Sequence, residues 1–138
     1  MPSLTTQAQQ LDKINRADRL LATIALLEQQ IQTIEANGEV APSRCHLARY
    51  QAQGKYKAYW YYKLQADTPI FPSKHNSNKL SRYKHLGVAG SQSYLDKVII
   101  VLRRTQIDDL QKAIDALRDS WSDLYSDSDS QDSHKKTK

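Results

Sequence analysis

The spacing of apolar residues changes period twice along this chain, and that change limits the folds open to it. Leu11, Ile14, Ala17, Leu21, Ile24, Leu27, Ile31 and Ile34 recur at steps of three or four. Such steps line one face of a helix. Between Tyr56 and Ala66 the pattern becomes alternation, with Tyr56, Ala58, Trp60, Tyr62, Leu64 and Ala66 at even positions and Lys57, Tyr59, Tyr61, Lys63 and Gln65 at odd ones. Alternation is the signature of a strand with two unlike faces, and aromatic residues favour its pleated surface. From Leu95 to Leu124 the helical spacing returns through Val98, Ile99, Leu102, Ile107, Leu110, Ile114, Leu117 and Trp121. The chain therefore predicts an α+β fold: a long N-terminal helix, a three-stranded antiparallel meander, a long C-terminal helix and a disordered tail.

The boundaries follow from local chemistry. The first helix runs from about Thr6 to Ala36, and Asn37-Gly38 ends it, since glycine adopts the left-handed conformation at a helix end. Leu20 and Leu26 broaden its apolar stripe, and a helix of this length predicts a partner helix, such as that of a second copy in a homodimer. Pro42 breaks the chain, and the sheet is expected over 44–87. Arg44–Gln51 reads as a first strand, joined to the central one through the turn Ala52-Gln53-Gly54. Leu80–Leu86 reads as the third, after a long loop containing Pro69, Pro72, Asn76 and Asn78. Ser93-Tyr94-Leu95-Asp96 matches a capping box at the start of a helix over 93–124. The five-residue step from Leu102 to Ile107 falls out of phase, so Arg103–Gln106 reads as a kink or junction. Residues 1–125 are expected as one helix–sheet–helix domain. Residues 126–138, without an apolar side chain, cannot repay the entropy of ordering.

Composition removes several classes of function. The longest apolar run, Val98–Leu102, has five residues, against the roughly 20 a membrane-spanning helix needs. The first residues lack the basic-then-apolar layout of a secretion signal, and a single cysteine, Cys45, has no partner for an internal disulfide. A cytoplasmic location without a membrane partner is expected. Cys45, His46, His75, His85 and His134 do not have zinc-ligand spacing, so no metal and no cofactor is expected. Cys45 and His46, adjacent on a strand, point to opposite faces and do not pair as nucleophile and base. No strained nucleophile turn is present, and the chain reads as non-enzymatic.

Charge indicates what it does bind. The net charge is +5, but residues 39–90 alone carry +7. A local excess of this kind attracts polyanions. Lys57, Tyr59, Tyr61 and Lys63 share the odd face of the central strand, and Arg82 and Lys84 share a face of the next. Lysine and arginine neutralise phosphates, while phenol rings stack on unpaired bases. These six residues are the candidate nucleic-acid site; the alternative is a coiled-coil assembly protein in which lysines and tyrosines only solvate a structural sheet. Gly87, Gly90 and Ser91, leading into a helix, are a weaker candidate phosphate site beside their ordinary role in a turn. Arg103 and Arg104 read as a solvated pair. The aspartates Asp123, Asp127, Asp129 and Asp132 suit a solubilising tail, or one that competes with polyanions.

Tyr56-Lys57-Ala58-Tyr59-Trp60-Tyr61-Tyr62, then Lys79-Leu80-Ser81-Arg82-Tyr83-Lys84-His85-Leu86-Gly87, then a helix, resembles the layout of the arm-type DNA-binding domain of tyrosine recombinases. It is also similar to small uncharacterised bacterial proteins, some linked to mobile DNA. The resemblance covers residues 55–95. It implies a sheet that enters a DNA groove with Lys57, Tyr59, Tyr61, Arg82 and Lys84 facing the DNA, and therefore DNA as the nucleic acid. The long first helix and the lack of a recombinase catalytic domain depart from that family.

Overall fold

The computed structural model describes residues 4–76 and 78–136. Its elements are α1 (Leu4–Asn37), β1 (Cys45–Gln53), β2 (Ala58–Ala66), β3 (Phe71–Pro72), β4 (Leu80–Ser81), β5 (Tyr83–Gly87) and α2 (Gln92–Lys136). The architecture is the α+β one that the change of period predicts. The chain divides into two compact units. One comprises residues up to Thr33 and from Ile107 onward; the other spans Ile34–Gln106.

The first unit is a helical hairpin. On α1, Ala17 and Ile24 are buried and Leu20, Leu27 and Ile31 half-buried. On α2, Ile107, Ile114 and Leu124 are buried, with Leu110, Leu117 and Trp121 half-buried between them. Both series alternate steps of three and four, the seam of a coiled coil. Arg118 Nη2 lies 3.1 Å from Glu28 Oε2, and Lys13 Nζ lies 5.6 Å from the ring centre of Tyr125. Residues nearer the start of α1 thus meet residues nearer the end of α2, so the pair is antiparallel. The seam corrects the sequence stripe: Leu20 turns inward, whereas Leu11, Ile14 and Leu21 stand exposed. Within this unit, the helix that packs on α1 is α2 of the same chain.

The second unit is built on the sheet β1-β2-β5, antiparallel throughout. Alternation places Leu64 and Ala66 of β2, Leu86 of β5 and Cys45 of β1 on one face, where they bury against Ile100 of α2, Ala41 and Phe71. Tyr62 stacks on Tyr94 at 4.1 Å between ring centres and seals that side. The expected loop between the second and third strands is an arm, in which β3 pairs with β4 and Phe71 anchors its base in the core.

Several joints differ from the sequence reading. The hairpin turn is Gly54-Lys55-Tyr56-Lys57, closed by Gly54 N donating to Lys57 O at 2.8 Å. It lies farther along than the predicted Ala52-Gln53-Gly54. Arg44 has a φ of 61° and sits in the turn before β1. Gly38 has a φ of 158°, nearly extended rather than left-handed, and what it supplies is space: a side-chain carbon there would lie 2.7 Å from Arg103 Nη1. The cap of α2 is Ser91, two residues before the predicted box; its Oγ accepts from Tyr94 N at 3.3 Å and donates to Leu86 O at 2.9 Å. α2 is continuous through Arg103–Gln106, so the out-of-phase step reflects Leu102 standing outside the stripe, not a junction. The stripe ends at Leu124. The helix bounds extend to Lys136. Residues 137 and 138 of the predicted tail lie outside the described residues.

Candidate nucleic-acid interface

Register decides which side chains share the sheet's second face. Tyr59 pairs with Ala52, Tyr61 with Tyr50, Lys63 with Ala48 and Gln65 with His46. On the other side of β2, Lys63 pairs with His85 and Gln65 with Tyr83. Directly paired residues project to the same side, so Tyr50, Tyr59, Tyr61, Lys63, Tyr83 and His85 rise together. No residue of this face is buried, and none belongs to the core cluster. We call it the open face.

Its side chains are organised by mutual contact. Tyr50 and Tyr61 stack with ring centres 5.8 Å apart, and the Tyr50 hydroxyl is hydrogen-bonded to Nδ1 of His85 at 2.7 Å. Lys63 Nζ lies 4.2 Å from the ring centre of Tyr83 and 5.2 Å from that of Tyr50. An ammonium over a ring face is attracted by the ring quadrupole. Tyr59 is 40% exposed and Tyr83 38% exposed, which leaves ring surface free for a ligand. From the arm, Lys74 and His75 line a surface depression together with Tyr50, Tyr61, His85 and Gly87.

Of the six site residues read from the sequence, Tyr59, Tyr61 and Lys63 stand together on this face. Lys57 belongs to the hairpin turn, with its ammonium 5.3 Å from the Tyr59 ring centre, so it borders the face rather than sitting in it. Arg82 lies between β4 and β5; its Nε donates to Ala66 O at 3.3 Å and its guanidinium is 6.0 Å from the Tyr83 ring centre. Lys84 is a correction: it pairs with Leu64 and therefore projects from the opposite face, at the edge of the core side. Tyr83 and His85 occupy the alternate positions instead. Tyr50, Tyr83 and His85 were missed because a strand's absolute facing depends on its pairing partner, which its own alternation does not state.

The even face of β2 also departs from expectation. Trp60 is 45% exposed and Tyr56 85% exposed, so the apolar side is core only from Tyr62 onward. Near the hairpin tip, the Arg49 guanidinium lies 4.1 Å from the Trp60 ring centre and covers it.

The weaker phosphate candidate does not form a cradle. Gly87 and Gly90 have φ of 99° and 78°, the positive values that favour glycine in a turn, and the Ser91 hydroxyl is engaged as the helix cap. The predicted solvated pair is not free either: Arg103 Nη1 donates to Glu39 O at 3.0 Å and Arg104 Nε to Ala41 O at 2.8 Å, fastening α2 to the segment before β1. Burial pushes the Cys45 thiol above its ordinary range, against the pull of Arg104 and with a smaller push from Asp67. A thiol held protonated is a poor nucleophile.

Comparison of the chain with protein-family models, curated proteins and solved structures finds no match. Among the described residues, no helix is long and apolar enough to cross a membrane.

Proposed function

We propose that this protein binds nucleic acid, as a non-enzymatic module, through the open face of its β1-β2-β5 sheet. The observation that carries the reading is the shared projection of Tyr50, Tyr59, Tyr61, Lys63, Tyr83 and His85 from a face with no buried residue. Aromatic planes take up bases, and the lysines and arginines of a segment carrying +7 take up phosphates. The resemblance of residues 55–95 to arm-type DNA-binding domains favours DNA. Fluorescence anisotropy with labelled DNA and RNA oligonucleotides at two salt concentrations tests the reading. Binding at low salt that weakens as salt rises is expected, because phosphate contacts release counterions. No binding at low salt defeats it.

A second reading, assembly through α1, rests on Leu11, Ile14 and Leu21, which stand exposed outside the intramolecular seam. Light scattering on the wild type and on Leu21→Asp distinguishes it. A monomer in both removes its basis.

A further inference from the structure

The open face is aromatic at its centre and cationic at its border, and this arrangement bears on which form of nucleic acid it takes. Resting on the reading above, we infer that the ligand is an unpaired strand whose bases lie flat on the tyrosines, and not a duplex.

The centre consists of Tyr50, Tyr61, Tyr83 and His85 around one cation, Lys63, whose ammonium is held between the Tyr50 and Tyr83 rings. The outward neighbours of Tyr59 and Lys63 on β1 are Ala52 and Ala48. These small side chains leave low ground beside the rings, where a planar base can settle. Other cations stand at the perimeter: Lys57 in the hairpin turn and Lys74 on the arm. A duplex presents phosphates and base edges, and its base faces are covered by their neighbours. Binding to it calls for cations along the contact surface and donors or acceptors aimed into a groove. An unpaired strand offers base faces, and stacking on an aromatic side chain contributes about 1–3 kcal/mol per base whatever the sequence. Rings inside and cations outside match a strand with its bases turned in and its phosphates running along the edge. The pairing of Tyr50 and Tyr61, 5.8 Å apart and inclined by 26°, leaves no slot between them. Bases therefore stack on the ring surface that Tyr59 and Tyr83 leave exposed beside their lysines.

The test measures anisotropy of the full chain with labelled oligo-dU, oligo-U and a hairpin duplex of equal phosphate number. Either single strand is expected to bind at least tenfold more tightly than the duplex; oligo-dU beside oligo-U, which differ only in the sugar, identifies DNA or RNA as the source. Tyr59→Ala and Tyr83→Ala are each expected to weaken single-strand binding about 5- to 100-fold, with the salt dependence unchanged. Tyr59→Phe and Tyr83→Phe, which keep the ring, retain binding. Duplex binding as tight as single-strand binding, or alanine variants that fold and bind as well as the wild type, overturns the inference while leaving nucleic-acid binding in place. If none of the three probes binds at low salt, the functional reading itself falls.

Discussion

The hydroxyl of Tyr50 on β1 reaches across β2 to Nδ1 of His85 on β5, 2.7 Å away. The two outer strands are thus joined over the middle one on the side where no helix-facing core residue lies. The contact is on an exposed surface, so water replaces much of what either partner loses. A double-mutant cycle with Tyr50→Phe and His85→Leu, read by urea denaturation, is expected to give a coupling of about 0.5–1 kcal/mol. A coupling indistinguishable from zero would show that the bond does not fasten the sheet.

Tyr59 owes its position to Gly54. A side-chain carbon at Gly54 would lie 2.4 Å from Tyr59 Cε2 and 2.8 Å from the Lys57 carbonyl oxygen, which also accepts the turn's closing hydrogen bond. Gly54→Ala must therefore move both a ring and backbone. The expected cost is about 1–3 kcal/mol in thermal or urea unfolding. Adding Tyr59→Ala should recover only part of it, since the carbonyl clash stays. Full recovery would assign the whole effect to the ring.

Arg104 donates to the carbonyl of Ala41, a fully buried residue whose own N–H donates to Ile100 O at 3.1 Å. Removing the guanidinium leaves that oxygen without this charged donor. Arg104→Ala is expected to destabilise by about 1–3 kcal/mol. Arg104→Lys should restore some of this, since an ammonium can donate but does not reproduce the fixed guanidinium geometry. An Arg104→Ala variant as stable as the wild type would return the residue to the role of a solvated surface charge.

These contacts mark where the sequence is silent. The change of period between Ile34 and Tyr56 announces the switch from helix to sheet, because side-chain spacing alone distinguishes the two. Tyr59, Tyr61 and Lys63 share a face for the same reason. The facing of Lys84 could not be read that way. It depends on β5 pairing with β2, and that register shifts between Tyr62 and Lys63; a one-residue slip exchanges the faces. Arg103 and Arg104 looked like solvent-facing charges because the backbone oxygens they bind, at Glu39 and Ala41, come from more than sixty residues earlier in the chain. Trp60 looked like core because alternation marks a face but not how far along the strand the helix covers it.

Cys45 gives a pH dependence whose sign can be worked out. Burial raises its pKa, Arg104 opposes the rise and Asp67 adds to it; the ordinary value is 9.0. Below that value the thiol is protonated in both the folded and the unfolded chain, and its contribution to stability is fully present. As pH climbs past 9.0, the unfolded chain loses the proton first and the equilibrium shifts toward unfolding. The contribution is lost progressively until the folded thiol also ionises. Lysines and tyrosines titrate in the same region, so the informative quantity is the difference in unfolding free energy between wild type and Cys45→Ala. The cavity left by alanine offsets that difference by an amount that does not vary with pH. It should stay level from about pH 7 to 8 and then shrink toward about pH 10, because only the wild type carries the thiol. Parallel stability curves for the two proteins over the whole range would mean that the folded environment does not oppose ionisation of this thiol.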